Sequence, residues 1–263
     1  MVSGDADLMK RLKIRPNLTS LAYKSIKEHI LEGQVDDDTR LTEESLSGEL
    51  GISKSPIREA LNRLEAEGLI RIEARRGAYL RSLSIKEVSN LYDLREALET
   101  HAVRTGQFSA DLLKELKGSV KRQRQYLKLN EKRKYIDEDM SFHAALARAT
   151  GNAMLCDVLE NLRNQIWLSR RKTYDLSSSA ASDFHEMIVT ALEAGDSVRA
   201  ERAMSEHISD VRKKLVDSLV RQEQVRQEQE MPPTKRALSI SSANGKQSAK
   251  NGKQSAKKML QTT

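Results

Sequence analysis

Lys54, Ser55, Arg58 and Asn62 crowd one side of a single stretch of chain, and each carries a side chain that can hydrogen-bond a nucleic acid. A guanidinium such as Arg58 can donate two parallel bonds to the N7 and O6 edge of guanine, and a carboxamide such as Asn62 can reach adenine. Lys54 and Ser55 suit phosphates or base edges. A second group is Asp139, His143, His185 and His207. Asp139 and His143 stand four residues apart and share a helix face, while His185 and His207 fall on two later segments where an amphipathic helix can turn each inward. One carboxylate and three imidazoles brought together suit zinc, nickel, manganese or iron, and leave positions open to water or a ligand. Arg95, beside the apolar Leu91, Leu94 and Leu98, is the candidate partner for an effector's carboxylate, because a buried guanidinium demands an anion. Plainer readings stand beside each group. Lys54 and Arg58 also fit a solvated helix face, Asp139 and His143 a surface ion pair, and the other histidines satisfied core positions. Glu96 or Glu99 also fits as the counter-ion of Arg95.

The elements that must position these residues are legible in the spacing. Residues Glu43 to Leu50 read as a short helix, Gly51 supplies the left-handed position that ends it, and Ser53 or Ser55 caps a second helix with Pro56 in its first turn. Ile57, Ala60, Leu61 and Leu64 repeat as a buried stripe, so Ser53, Lys54, Ser55, Arg58 and Asn62 are left outward. Gly68 to Ile72 and Ala78 to Arg81 alternate like paired strands, with Arg75, Arg76 and Gly77 at the turn between them. The spacing predicts a winged helix-turn-helix domain over 19–83, whose first helix runs from about Leu21 to Gly33. Ser84 with Glu87 resembles a capping box. From there helical periodicity runs to about residue 220, with punctuation near Gly106, Gly118, Gly151, Ser177 to Ser179 and Gly195. The fold class expected is mainly α, a winged helix-turn-helix followed by an all-helical bundle of about six helices.

The chain has 263 residues and a formal net charge of +7. That excess is poor support for nucleic-acid binding, because residues 1–83 hold 14 basic and 14 acidic side chains, whereas 221–263 hold 9 and 3. Residues 1–18 read as a loose arm and 221–263 as a basic low-complexity tail, disordered from about Met231, where two short polar repeats begin at Gly245 and Gly252. No apolar run approaches the ~18 residues of a membrane span and no signal-peptide stretch opens the chain, so a cytoplasmic protein without a membrane partner is expected. The single cysteine, Cys156, excludes an internal disulfide, and its apolar neighbours suggest a buried thiol.

The run from Arg58-Glu59-Ala60-Leu61 through Arg63-Leu64-Glu65-Ala66-Glu67-Gly68-Leu69-Ile70 to Arg75-Arg76-Gly77 resembles the GntR family of bacterial transcription regulators. The helical half is similar to the FCD ligand-binding domain, on the phrases Leu91-Tyr92-Asp93-Leu94-Arg95-Glu96-Ala97-Leu98-Glu99, Asp139-Met140-Ser141-Phe142-His143 and Ala191-Leu192-Glu193-Ala194-Gly195-Asp196. With about six helices it resembles the shorter, vanillate-regulator-like branch. The resemblance implies a homodimeric, usually repressing factor whose Lys54, Ser55, Arg58 and wing around Arg76 and Gly77 touch double-stranded DNA at an inverted-repeat operator. It also implies a small organic acid bound in the domain at 84–220 and a divalent metal held by Asp139, His143, His185 and His207. Lys54 departs from the family, which often has arginine there, and an ammonium cannot reproduce a bidentate fork. The residues alone also admit a metal-dependent hydrolase with an attached helix-turn-helix, since such ligands can activate water.

Overall fold

The computed structural model describes residues 17–230; the expected arm and most of the expected tail lie outside them. Helix α1 (Leu18–Leu31) is capped by Asn17, whose side chain accepts from the Ser20 amide. Helix α2 (Glu43–Leu50) begins at Thr42, whose hydroxyl accepts from the Ser45 amide, and ends at Gly51 with φ of 66°. Helix α3 (Lys54–Ala66) follows, with Ser53 as its N-cap residue but without a side-chain capping bond. Strands β1 (Ile70–Glu73) and β2 (Gly77–Leu80) pair antiparallel, Ile70 opposite Leu80. Gly77 is required twice over: its φ is 104°, and a Cβ there would stand 2.8 Å from the Leu41 carbonyl oxygen. That contact belongs to the bridge joining Leu41 to Ala78, which ties the wing to the start of the helix pair.

Five helices follow among the described residues: α4 (Ile85–Thr105), α5 (Ala110–Lys128), α6 (Lys132–Arg148), α7 (Ala153–Glu193) and α8 (Ser197–Glu230). The capping box expected at Ser84 and Glu87 is present in both directions. Two expected breaks are absent. Gly118 lies inside α5, where its cost of about 1 kcal/mol is outweighed by the burial of Leu116 and Val120 on either side. Ser177 to Ser179 lie inside α7, a single helix of 41 residues. There the small polar side chains bond back to their own helix: Thr173 to the Ser169 carbonyl, Ser177 to that of Thr173, and Ser182 to that of Ser178. Such bonds satisfy a buried hydroxyl without a turn. One break was not foreseen, at Leu129 to Glu131, where Asn130 adopts φ of 53°.

The first compact unit runs to Leu215, and the rest of α8 begins the second at Val216. Within the first unit the winged helix and the bundle share one hydrophobic core. Ile26, Ile57, Leu61 and Leu64 are contiguous with Tyr135, Ile136, Trp167 and Leu168 of α6 and α7. Polar bonds reinforce the contact. Asn164 of α7 donates to Glu67 at 3.1 Å (backbone oxygen) and 3.2 Å (carboxylate), and Lys172 pairs with Asp37 at 3.3 Å. No helix among the described residues is long and apolar enough to cross a membrane.

Candidate DNA interface and metal centre

Ser53, Lys54, Ser55, Arg58 and Asn62 are all exposed, on the side of α3 opposite its buried stripe Ile57, Ala60, Leu61 and Leu64. Arg75 and Arg76 are exposed at the wing tip, and Arg75 holds the turn with φ of 63°. A groove of about 370 Å³ lies between helix and wing, with Glu43, Arg58, Asn62, Arg75 and Gly77 among its walls. The cations are not bare. Glu43 takes Arg58 in two bonds of 2.7 Å, from Nε and Nη2, and Lys54 lies 3.6 Å from Glu44. Arg76 contacts Glu73 at 3.2 Å. Exposed pairs of this kind contribute little to stability, so a phosphate or base can replace or join the carboxylate at small cost. Part of the charge balance over residues 1–83 is visible here, as acids and bases paired locally on the exposed face of α3 and the wing.

The second site lies inside the bundle. His143 on α6, His185 on α7 and His207 on α8 are each under a tenth exposed, and their ring nitrogens converge. His207 Nε2 stands 3.3 Å from His185 Nε2 and 3.3 Å from His143 Nε2. Two nitrogens each ~2.0–2.1 Å from one tetrahedral ion stand roughly 3.3 Å apart, so the spacing fits a shared metal. One outer nitrogen is held from behind by a hydrogen bond, which sets the inward direction of its Nε2, while His207 Nδ1 has no hydrogen-bond partner among the described residues. His185 Nδ1 bonds to Gln123 Oε1 at 2.7 Å. His143 Nδ1 meets Glu99 Oε2 at 2.5 Å, a close contact rather than an aligned hydrogen bond. Burial first, and the neighbouring histidines next, hold His185 and His207 well below the usual imidazole pKa. Both are neutral near neutral pH, the form that ligates a metal.

Asp139 is buried beside the histidines, its Oδ1 3.9 Å from His185 Nε2, but both its oxygens face Arg170. Arg170 donates from Nη2 to Oδ1 at 2.6 Å and from Nε to Oδ2 at 3.0 Å. Burial alone would raise the Asp139 carboxyl; Arg170 first, with His143, His185 and Arg95, together outweigh it and hold the pKa below its ordinary value. Arg95 is buried as expected, and its counter-ion within the chain is Glu99, with Nε donating to Oε1 at 2.9 Å. Burial pushes the Glu99 carboxyl up, but Arg95 and then His143 bring it down to about 2. Leu94, expected beside Arg95 on the inner face, is 41% exposed. A cavity of about 200 Å³ adjoins the cluster, with Arg95, Glu99, Asp139 and His143 on one wall and Arg148 and Arg163 on others. Cys156 also lines it and is only half-buried, because Met154 and Val158 beside it turn to solvent.

Of three further residues of this centre, the sequence singled out none for its place beside the histidines: Arg170 stood only with Arg163 and Arg171 as a possible effector contact, and Gln123 not at all. Glu99 was visible only as a possible counter-ion four residues from Arg95. Gln123 continues the buried series Leu116, Ser119 and Val120, so a carboxamide on an apolar stripe was its signal. Arg170 lies four residues from both Ile166 and Tyr174 on a buried face, a position where an arginine needs an acid.

Residues 18–80 match the family described as bacterial regulatory proteins, gntR family, and residues 90–210 match the FCD domain. The gluconate operon transcriptional repressor of Bacillus licheniformis is 28% identical over 202 residues, spanning 73% of this chain and 82% of that one. The HTH-type transcriptional regulator YdhC of Bacillus subtilis is 30% identical, spanning 58% of this chain and 69% of its own. The fold is shared with a GntR regulator of Rhodococcus sp. RHA1, at TM-score 0.67 and 20% identity, over 76% of this chain and 97% of that one. It is also shared with McbR/YncC of E. coli, at TM-score 0.65 and 19% identity, over 78% and 99%. With a winged helix-turn-helix at one end and a helical domain built around a histidine cluster at the other, the chain belongs to the GntR family of DNA-binding transcription regulators, among the members that carry an FCD domain.

Proposed function

We propose that the protein is a cytoplasmic, homodimeric repressor whose grip on an inverted-repeat operator is set by a small organic acid bound beside a divalent metal. In this reading Arg58 and Asn62 meet base edges, Ser53, Lys54 and Ser55 meet phosphates or bases at the leading end of α3, and Arg75, Arg76 and Gly77 brace the wing on the duplex. A two-fold dimer presents two such helices, so a small change in their spacing ends simultaneous engagement. His143, His185 and His207 would hold the metal, with Asp139 as the oxygen donor, and the ion would supply a Lewis-acidic position for a carboxylate. Zinc, nickel, manganese and iron all suit that donor set. Arg95, Arg148 and Arg163 line the adjoining cavity beside Glu99, Asp139, Asp157 and Glu160, so a bound ion is what would favour an anionic ligand there, and a relative named for a gluconate operon makes sugar acids the first to try.

The observation that carries the reading is the wall shared between cavity and histidine cluster. Transmission has a short physical route along α7. Arg170 faces the buried Asp139, while Arg171 and Lys172 next to it reach Asp36 and Asp37 of the winged helix at 3.3 to 3.7 Å. An effector shifts the population by binding one arrangement more tightly, about 1.4 kcal/mol for each tenfold change in operator occupancy ratio. The test is a thermal-shift screen of small carboxylic and sugar acids, with and without added divalent metal, followed by gel shift with each hit. A hit that needs metal and weakens operator binding is the expected result. Chelator-free protein should carry roughly one divalent ion per chain, lost in His207→Ala. Elemental analysis finding no stoichiometric metal removes the metal from the reading.

A further inference from the structure

We propose that Glu43 is a positioning residue for DNA reading: it grips one edge of the Arg58 guanidinium so that the opposite edge is presented to a guanine. The inference rests on the placement of Arg58 at the DNA in the reading above. Of Lys54, Arg58, Arg75 and Arg76, the DNA-facing cations among the described residues, only Arg58 is held by two hydrogen bonds. Both are 2.7 Å, from Nε and Nη2 to the two carboxylate oxygens of Glu43.

A guanidinium has five N–H donors in a planar fork. Glu43 uses the Nε hydrogen and one Nη2 hydrogen. The other Nη2 hydrogen and those of Nη1 make up a second edge, and two parallel donors on one edge are what the N7 and O6 of guanine require. One side of the plane can thus serve the carboxylate while the other serves the base. Lys54 and Glu44 cannot act in this way, because an ammonium has no second edge and their contact is a single loose one of 3.6 Å.

The carboxylate is placed to act as a fixed support. Glu43 is the first residue of α2, where the amide dipoles favour a negative charge. Its side chain is 32% exposed while that of Arg58 is 63% exposed, so the acid sits behind the guanidinium and the guanidinium is the group that projects. Both line the groove between α3 and the wing. A long arginine at a protein surface loses much rotamer freedom when it meets a base. Holding it in advance reduces that loss for the matching base pair and does nothing for a duplex in which no guanine lies opposite.

The opposite role is that of a mask, in which Glu43 competes with DNA for Arg58 and must be displaced. The two roles predict opposite signs. The test uses the full chain and a duplex selected from a random pool by the unaltered protein, with a scrambled duplex of the same length at the same salt. Glu43→Gln is expected to lower the preference for the selected duplex by roughly two- to tenfold, the range of one net hydrogen bond, with binding to the scrambled duplex unchanged or slightly tighter. Repeating the selection with Glu43→Gln should relax the choice at one base pair of each half-site and leave the others intact, which a general loosening of the domain would not do. In an Arg58→Ala background the same substitution should change the preference no further. Tighter binding of the selected duplex by Glu43→Gln makes Glu43 a mask and overturns the proposal. Unchanged preference in Glu43→Gln, with a lost preference in Arg58→Ala, leaves Arg58 as the reader and removes Glu43. Unchanged preference in Arg58→Ala overturns the placement of Arg58 and the proposal with it. Should Glu43→Gln melt early, Glu43→Asp gives the test, since it keeps the charge and shortens the reach to Arg58: the same single-position relaxation is expected, and an unchanged base choice counts against the proposal.

Discussion

Among the described residues Arg58, Arg122 and Arg170 each hold a carboxylate in the same two-pronged way, and the extremes of the set are Arg58 on the outward face of α3 and Arg170 inside the bundle. Arg58 and Glu43 are 63% and 32% exposed; Arg170 and Asp139 are 2% and 1% exposed. The distances are alike, 2.7 and 2.7 Å against 2.6 and 3.0 Å. What differs is the medium. Water can replace either partner of the outer pair, so the outer arginine remains available to a third group. Nothing can replace a partner of the inner pair without leaving a charge stranded, so the inner arginine is committed to the fold.

The comparison breaks most readily at the inner pair. In protein stripped of metal by a chelator, Arg170→Met should cost about 3–5 kcal/mol of stability, because it leaves the Asp139 carboxylate buried and unpaired. The double variant with Asp139→Asn should regain much of that loss. Urea titrations of the three proteins measure both values, and a loss near zero for Arg170→Met would place the inner pair in the same class as the outer one. Arg58→Ala should leave the urea midpoint in place while lowering discrimination between a selected and a random duplex by roughly five- to hundredfold per half-site; gel-shift titration reads this.

Glu67 lies between the two extremes and sharpens the comparison by pH. Burial raises its carboxyl, but bonds from Tyr23 and Lys27 outweigh burial and hold it at about 2, against an ordinary 4.5. A folded pKa below the unfolded one stabilises fully above the unfolded value, and the contribution is lost as pH falls from 4.5 toward 2. Urea midpoints taken on either side of that window should fall for the unaltered protein and fall less for Glu67→Gln. The smallest effect is expected of Lys54→Ala, which removes one phosphate contact and should lower the slope of log affinity against log salt by about 1 without changing base preference.

How much of this was legible in the residues follows the distance over which each feature is determined. The helix-turn-helix was legible because Gly51, the stripe Ile57 to Leu64 and the turn at Gly77 act within a few residues of themselves. The histidines were legible as a set chiefly through the family resemblance, since inward-facing imidazoles taken alone fit satisfied core positions as well. Their supports were not. Arg170 meets Asp139 across 31 residues and Gln123 meets His185 across 62, and no local spacing encodes those meetings. Helix α7 was misjudged for a different reason: serines read as a break when their bonds are assumed to go to solvent, and here they return to the helix.

The continuity of the core from Ile57 and Leu64 into Tyr135 and Trp167 has a consequence for how such a protein can be dissected. A fragment cut at the start of α4 would carry a raw apolar scar where α6 and α7 had been, with Asn164 no longer bonded to Glu67. The reading head is not a bead on a string. It is seated on the helical bundle through a shared core, so in the function proposed above a signal would reach it as a change of seating rather than a swing about a tether.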